Sequence, residues 1–95
     1  MSRYDLSGEV AVVIGGTGVL GGAIAQGLAE AGAKVAVLGR SQERGKERVA
    51  AIEQAGGEAL FAACDATDKT SLVEAQAAVD AGLGVVGVLV NSAGG

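Results

Sequence analysis

Apolar residues fall along the chain in four short runs, separated by longer stretches in which apolar and polar residues mix. The runs lack clean polar alternation, and all but 59–64 contain β-branched residues, which is typical of parallel strands covered on both faces; they are residues 10–14, 34–39, 59–64 and 85–90. The stretches between them begin at capping residues or stop at glycines and predict helices; they are residues 18–31, 41–55 and about 68–81. The order β-α-β-α-β-α-β predicts an α/β domain with a parallel sheet and right-handed crossovers.

Composition and charge narrow the classes of function. The 95 residues suffice for one small domain, and their net charge of −4, with both signs mixed, argues against nucleic acid as the main partner. One cysteine and no histidine exclude a disulfide framework and a Cys/His metal site within one chain, so no metal is expected. No apolar run is long enough for a membrane span, and the first residues lack a signal peptide's apolar stretch. We expect a cytoplasmic protein without membrane partners.

Glycines concentrate where the first strand gives way to the first helix. Gly16, Gly18 and Gly21 fit G-x-G-x-x-G, the fingerprint of dinucleotide binding. One glycine permits the tight turn, another lets the backbone approach a pyrophosphate, and the third lets the helix pack against the sheet. The helix N-terminus then offers free N–H groups to the phosphates. The alternative is that the glycines serve only a tight strand-to-helix turn.

The end of the second strand bears on the choice of cofactor. An NAD site usually places Asp or Glu there for the ribose hydroxyls, but this chain has Gly39 followed by Arg40. A guanidinium binds a 2′-phosphate with paired charge-assisted hydrogen bonds, and Ser41 adds a hydroxyl. The sequence therefore favours NADP, with NAD as the alternative, unless Arg40 is only a solvated loop residue. The cations that follow, Arg44, Lys46 and Arg48, are expected on a solvated helix face.

The third and fourth strands also end in residues suited to a ligand. Asp65 is placed to accept a hydrogen bond from an exocyclic amine such as that of adenine, or else to cap the following helix. Its neighbour Cys64 is expected to be a small core residue. Asn91 can tie neighbouring loops together, and the small pair Ala93-Gly94 leaves room for a flat ligand. Open α/β sheets bind ligands where parallel strands end.

Together these residues resemble the N-terminal half of a short-chain dehydrogenase/reductase, in particular the classical branch that includes sugar-acid and polyol oxidoreductases. The motif T-G-x-x-x-G-x-G maps onto residues 14–21, with Ile14 for Thr and Val19 for the middle Gly. The motif N-N-A-G maps onto residues 91–94, with Ser92 for the second Asn. The resemblance implies a Rossmann-like α/β/α fold with strand order 3-2-1-4. It also implies a set of cofactor-binding residues: Gly15, Thr17, Gly18, Leu20, Gly21, Arg40, Ser41, Asp65, Ala66, Asn91, Ala93 and Gly94.

The resemblance extends over the cofactor-binding part of the family only. Its catalytic Ser, Tyr, Lys and Asn lie beyond the N-N-A-G motif, and the one tyrosine here is Tyr4, so no catalytic residue is predicted. Residues 1–95 are expected to be a truncated NAD(P)-binding domain of an oxidoreductase that transfers hydride to or from a carbonyl or alcohol. The alternative is a non-catalytic dinucleotide-binding module, or a folded fragment without activity. The apolar fourth strand would then lie at a sheet edge, which predicts that it pairs with a second copy, giving a homo-oligomer, or with a further segment of its own chain.

Overall fold

The structure, a computed structural model, describes residues 6–15, 18–65 and 67–92. Its strands are β1 (Val10–Ile14), β2 (Lys34–Gly39), β3 (Glu58–Ala63) and β4 (Val86–Asn91). Its helices are α1 (Val19–Glu30), α2 (Gln42–Gln54) and α3 (Lys69–Gly82). The alternation of strands and helices is as predicted, with β3 and β4 displaced by one residue from their expected bounds.

The four strands form one parallel sheet in the order β3-β2-β1-β4. This confirms the predicted fold class and strand order. Ile14 is level with Leu38 of β2 on one side and with Asn91 of β4 on the other. Gly39 of β2 is level with Ala63 of β3. All four strands therefore finish together, along what is called below the carboxyl end of the sheet.

Apolar side chains that alternate along the strands form a core on each face of the sheet. On one face Val13, Val35 and Val37 pack with residues of α1 and α2, including the buried Ile52. On the other face the neighbouring strand positions pack against α3, through buried and half-buried residues that include Val12, Leu38, Ala75 and Val79. Because helices lie on both faces, the fold is a three-layer α/β/α arrangement.

The expectation that all four strands are covered on both faces is only half right. β1 and β2 are buried almost throughout, whereas β3 is half-buried and β4 alternates between half-buried and exposed positions. Leu89 of β4 is 65% exposed. The physical reason is position, because β3 and β4 are the outer strands of the described sheet. Long apolar runs alone do not distinguish an inner strand from an outer one.

Arg48 departs from the solvated face expected for the cations of α2. It is half-buried, and its guanidinium lies against Gly22 of α1, where an added Cβ would meet Arg48 Nε at 2.6 Å. Nε itself is buried and has no hydrogen-bond partner among the described residues. The long side chain thus reaches across to α1, and its guanidinium end occupies the space beside Gly22. Arg44 and Lys46 are exposed, as expected.

The helices of the described part of the chain are short relative to a lipid bilayer. None of them is both long enough and apolar enough to cross a membrane.

Candidate functional site

The chain leaves β1 through a glycine in a conformation that other residues rarely adopt. Gly15 has φ +84°, which is in the left-handed region. Its N–H donates to Leu38 O at 2.8 Å and so extends the pairing of β1 with β2. Its carbonyl accepts from Gly18 N at 3.1 Å, and α1 begins at the next residue. The backbone therefore passes from strand to helix within four residues, directly at the carboxyl end of the sheet.

Gly21 is required because α1 lies very close to this turn. A Cβ on Gly21 would collide with Gly15 O, and would come within 2.8 Å of Gly15 C and 2.6 Å of Ser92 Oγ. Gly21 is accordingly buried. This is the close helix packing that the third glycine of the fingerprint is expected to permit.

Gly18 is different, because nothing in its own geometry demands glycine. Its φ is −77°, and an added Cβ would meet only Gly15 O, at an ordinary contact distance of 3.5 Å. Among the described residues no neighbour would prevent a side chain there. As the N-cap of α1, glycine is a better residue than alanine, and it is also the residue that leaves the backbone open to an approaching ligand, which is the second role of the fingerprint.

The N-terminus of α1 is capped differently from those of the other two helices. Ser41 Oγ accepts from Arg44 N at 3.2 Å in α2, and Asp68 Oδ1 accepts from Thr70 N at 2.9 Å in α3. In α1 the N-cap residue is Gly18, which has no side chain to do this, and no acidic residue lies in the first turn. The first N–H groups of a helix attract an anion through their hydrogen atoms and the helix dipole. This terminus is thus the one suited to a phosphate.

Arg40 and Asp65 extend this arrangement across β2 and β3. Arg40 directly follows β2 and is exposed. It is close enough to Asp65, at the end of β3, for its positive charge to act on that carboxylate. Ser41 lies beside Arg40, and its hydroxyl oxygen accepts the α2 cap hydrogen bond, which leaves the hydroxyl hydrogen as the group it can offer a ligand.

Asp65 is held in a turn of its own and does not cap α3. Its Oδ1 accepts from Thr67 Oγ1 at 2.7 Å and from Thr67 N at 3.0 Å, while its N–H donates to Ser71 Oγ at 2.9 Å. The hydroxyl hydrogen bond, then the amide hydrogen bond, lower the pKa of Asp65; desolvation opposes them and the charge of Arg40 adds to them. Asp68 is the cap of α3, so the helix-cap alternative for Asp65 is wrong. Asp65 is thus a fixed, ionised acceptor.

Ser92 is a residue of the site that the sequence reasoning noted only as a departure from the family motif. Its N–H and its hydroxyl both donate to Ile14 O, at 2.8 and 2.9 Å. It thereby fastens the end of β4 to the end of β1. The available signal was its position beside Asn91, the last residue of β4, which is level with Ile14.

The structure therefore gathers most of the expected site residues at one end of the sheet. Gly15, Gly18 and Gly21 form the turn, with Arg40, Ser41, Asp65 and Asn91 at the ends of the other strands. Leu20 lies in the first turn of α1 and is 68% exposed. Thr17, Ala66, Ala93 and Gly94 lie outside the described residues. Cys64 is buried in the core, as expected, and its N–H donates to Gly39 O at 3.0 Å.

Comparison with known proteins identifies a family with this arrangement. The model of the short chain dehydrogenase family matches residues 9–95 of the chain. An uncharacterized oxidoreductase, UxuB, of Bacillus subtilis is 44% identical over 91 residues, which are 96% of this chain and 33% of the relative. The chain thus spans about a third of the length of the curated relatives it matches.

Two solved structures carry different cofactors on the same fold. A metagenomic short-chain oxidoreductase in complex with NADP has a TM-score of 0.81 and 37% identity, over 87% of this chain and 38% of the other. A proposed D-mannonate oxidoreductase from Haemophilus influenza with bound NAD has a TM-score of 0.93 and 26% identity, over 98% of this chain and 33% of the other.

Proposed function

The chain belongs to the short-chain dehydrogenase family, and we propose that it is the NADP(H)-binding part of an oxidoreductase of that family. The carboxyl end of the sheet is the proposed binding surface. The single observation that carries the proposal is Gly18. It is a glycine that neither backbone strain nor any described neighbour requires, at the start of a helix without a side-chain cap.

In this proposal the pyrophosphate lies on the N-terminus of α1. The backbone at Gly18 leaves the space that a side chain would fill, and the first N–H groups of α1 supply hydrogen bonds and a partial positive charge. Gly15 and Gly21 support this indirectly, since they set the turn and the close packing that bring the helix to this place. Thr17 and Leu20 are proposed as further contacts along the same turn.

Arg40 is the residue proposed to choose NADP over NAD. An exposed guanidinium after β2 can pair with a 2′-phosphate, and the acidic residue that would favour the ribose hydroxyls of NAD is replaced by Gly39. Asp65 is proposed to bind the adenosine part of the cofactor, because its ionised carboxylate can accept a hydrogen bond from the adenine amine. Ser41, Ala66, Asn91, Ala93 and Gly94 are proposed to surround the adenosine.

The nicotinamide of such a cofactor, when bound, supplies or accepts a hydride, and the proposed substrate is a carbonyl or alcohol compound. The residues of this chain bind and orient the cofactor's adenosine and pyrophosphate. The second candidate is a dinucleotide-binding module without chemistry. In that alternative the same residues would hold the dinucleotide, and no hydride would be transferred.

Calorimetric titration of the chain with NADPH and with NADH tests the proposal. We expect NADPH to bind more tightly, and Arg40→Ala to remove most of that difference while leaving the affinity for NADH nearly unchanged. Lys46→Ala is the matched control, because it removes an equal charge from the exposed face of α2. Binding of neither cofactor would contradict the proposed function, and equal binding of both by the unaltered chain would contradict the role of Arg40.

We also propose that the chain self-associates through β4. This strand is at the edge of the described sheet, and the uncharged residues 88–90 include the exposed Leu89. An apolar edge strand with unpaired backbone groups is a template for pairing with a second copy.

A further inference from the structure

The hydroxyl of Ser92 lies where the end of β1, the first turn of α1 and the end of β4 come together. Its N–H and its hydroxyl donate to the same carbonyl, that of Ile14, at 2.8 and 2.9 Å. The same Oγ lies 2.6 Å from the place where Gly21 would carry a Cβ. Ser92 is half-buried there, between the end of β1, the first turn of α1 and the end of β4.

A short series of backbone hydrogen bonds leads from this junction to the N-terminus of α1. Ile14, the acceptor for Ser92, is followed by Gly15, whose carbonyl accepts from Gly18 N at 3.1 Å. The carbonyl of Gly18 in turn accepts from Gly22 N at 2.8 Å. A shift of the Ile14 carbonyl would therefore be passed to Gly15 and then to the first turn of the helix.

We propose that Ser92 is a positioning residue that fixes the glycine turn in the geometry needed for the cofactor's pyrophosphate. The inference rests on the proposed function, in which the N-terminus of α1 holds that group. Two donors on one carbonyl hold the end of β1 more firmly than the strand pairing alone, because a carbonyl oxygen has two lone pairs to satisfy. The short side chain also suits the narrow space beside Gly21.

The inference separates the two ends of the cofactor. The contacts of Ser92 are with β1 and lie beside α1, whereas Arg40 and Asp65 follow β2 and β3. Loss of the Ser92 hydroxyl should therefore weaken binding of the pyrophosphate and leave the 2′-phosphate and adenine contacts intact. A residue that only stabilised the fold would weaken both ends together.

The test compares Ser92→Ala and Ser92→Cys with the unaltered chain, using NADPH and adenosine 2′-monophosphate as probes in calorimetric titrations. Adenosine 2′-monophosphate has the 2′-phosphate and adenine but no pyrophosphate. We expect Ser92→Ala to weaken NADPH binding by roughly 3- to 10-fold, the usual effect of one lost hydrogen bond. We expect the NADPH affinity of Ser92→Cys to lie between those of Ser92→Ala and the unaltered chain, because S–H is a weak donor. The affinity for adenosine 2′-monophosphate should not change.

Ser7→Ala is the matched control, since it makes the same chemical change beside Gly32, at the opposite end of the sheet; its NADPH affinity should equal that of the unaltered chain. If circular dichroism shows that Ser92→Ala does not fold, the same two titrations of Ser92→Cys test the inference. This inference alone would be overturned if the folded Ser92 variants bound NADPH as tightly as the unaltered chain. It would also be overturned if they lost affinity for NADPH and for adenosine 2′-monophosphate to the same extent. If the unaltered chain binds no NADPH, the proposed function fails and this inference with it.

Discussion

At the residue scale, the three described glycines of the turn after β1 differ in how strongly the backbone requires them. Gly15 has a backbone conformation with positive φ, Gly21 lies too close to the Gly15 carbonyl for any side chain, and Gly18 meets neither constraint among the described residues. The fingerprint in the sequence gives their spacing. Only the structure separates the glycines that the fold needs from the one that a ligand would need.

Gly18→Ala is expected to separate binding from stability. Among the described residues its Cβ meets only Gly15 O, at 3.5 Å, so the cost in the free energy of unfolding should be limited to about 0.5–1 kcal/mol, because glycine is a better N-cap than alanine. NADPH affinity should fall by at least about tenfold, because the Cβ occupies space assigned to the pyrophosphate. Calorimetric titration and urea denaturation measure the two quantities.

Gly27→Ala is the control for Gly18→Ala. Gly27 lies later in α1, and an added Cβ would have no described atom within 4 Å. This variant should keep its NADPH affinity and gain about 0.5–1 kcal/mol in stability, as expected for Gly to Ala inside a helix. Unchanged NADPH affinity in Gly18→Ala would disprove the explanation given for that glycine.

Asp65 provides a prediction about pH. Thr67→Val removes the hydroxyl that contributes most to the lowered pKa of Asp65, so the pKa should rise toward its ordinary value of 3.8. A lowered carboxyl pKa stabilises the folded state above pH 3.8, and this contribution is lost as the pH falls through the folded-state pKa. As the pH is lowered from neutral to below 3.8, the free energy of unfolding of Thr67→Val should therefore fall by less than that of the unaltered chain.

The pKa of Asp65 can be followed by carboxyl NMR titration. Thr70→Val, which removes a hydroxyl from the first turn of α3, should leave the Asp65 pKa where it is. An unaltered Asp65 pKa in Thr67→Val would show that the Thr67 hydroxyl does not hold this carboxylate.

At the element scale, α2 lies so close to β3 that a helix-interior glycine becomes necessary. A Cβ on Gly45 would collide with Cδ1 and Cε1 of the Phe61 ring and approach Cγ to 2.7 Å. Gly45→Ala should therefore destabilise the chain by about 1–3 kcal/mol, the usual range for overpacking, against the normal helix preference for alanine. Thermal or urea unfolding measures the change.

Phe61→Leu provides the partner for a double-mutant cycle with Gly45→Ala. Because leucine leaves room where the ring was, the second substitution should cost less in the Gly45→Ala background than alone. Additive effects of the two changes would contradict a direct contact between Gly45 and Phe61.

The sequence predicted the elements well and their surroundings less well. Short apolar runs located all four strands to within one residue, and Ser41 and Asp68 marked the starts of α2 and α3. The exposure of β4 and the burial of Arg48 could not be predicted, since both depend on which elements become neighbours in space. For the same reason the sequence placed Asn91 in the site but gave no role to Ser92.

At the scale of the whole molecule, the strand order β3-β2-β1-β4 brings the candidate site residues together and places β4 at one edge of the described sheet. Parallel pairing brings every strand end to the same side, so residues from Gly15 to Asn91 converge although they are far apart in the chain. The same order leaves the outer side of β4 unpaired within the described sheet. The Glu9 carboxylate lies against Gly87 of this strand, whereas residues 88–90 carry no charge.

Self-association through β4 is expected to depend on Leu89. Light scattering coupled to size-exclusion chromatography should show a mass that rises with concentration for the unaltered chain. Leu89→Lys should shift the chain toward monomer, because a charged residue on an edge strand opposes pairing. Val73→Lys, an equal change at an exposed position of α3, is the control. A constant monomer mass for the unaltered chain would disprove the proposed association.

The most direct test of the central claim, that the carboxyl end of the sheet binds NADP(H), is a backbone amide NMR titration of the chain with NADPH. The largest shifts should fall on Gly15, Gly18, Arg40, Asp65 and Ser92, which follow four different strands. Amides at the other end of the sheet, such as those of Gly32 and Gly56, should stay in place. Shifts confined to that opposite end, or none at saturating NADPH, would contradict the account.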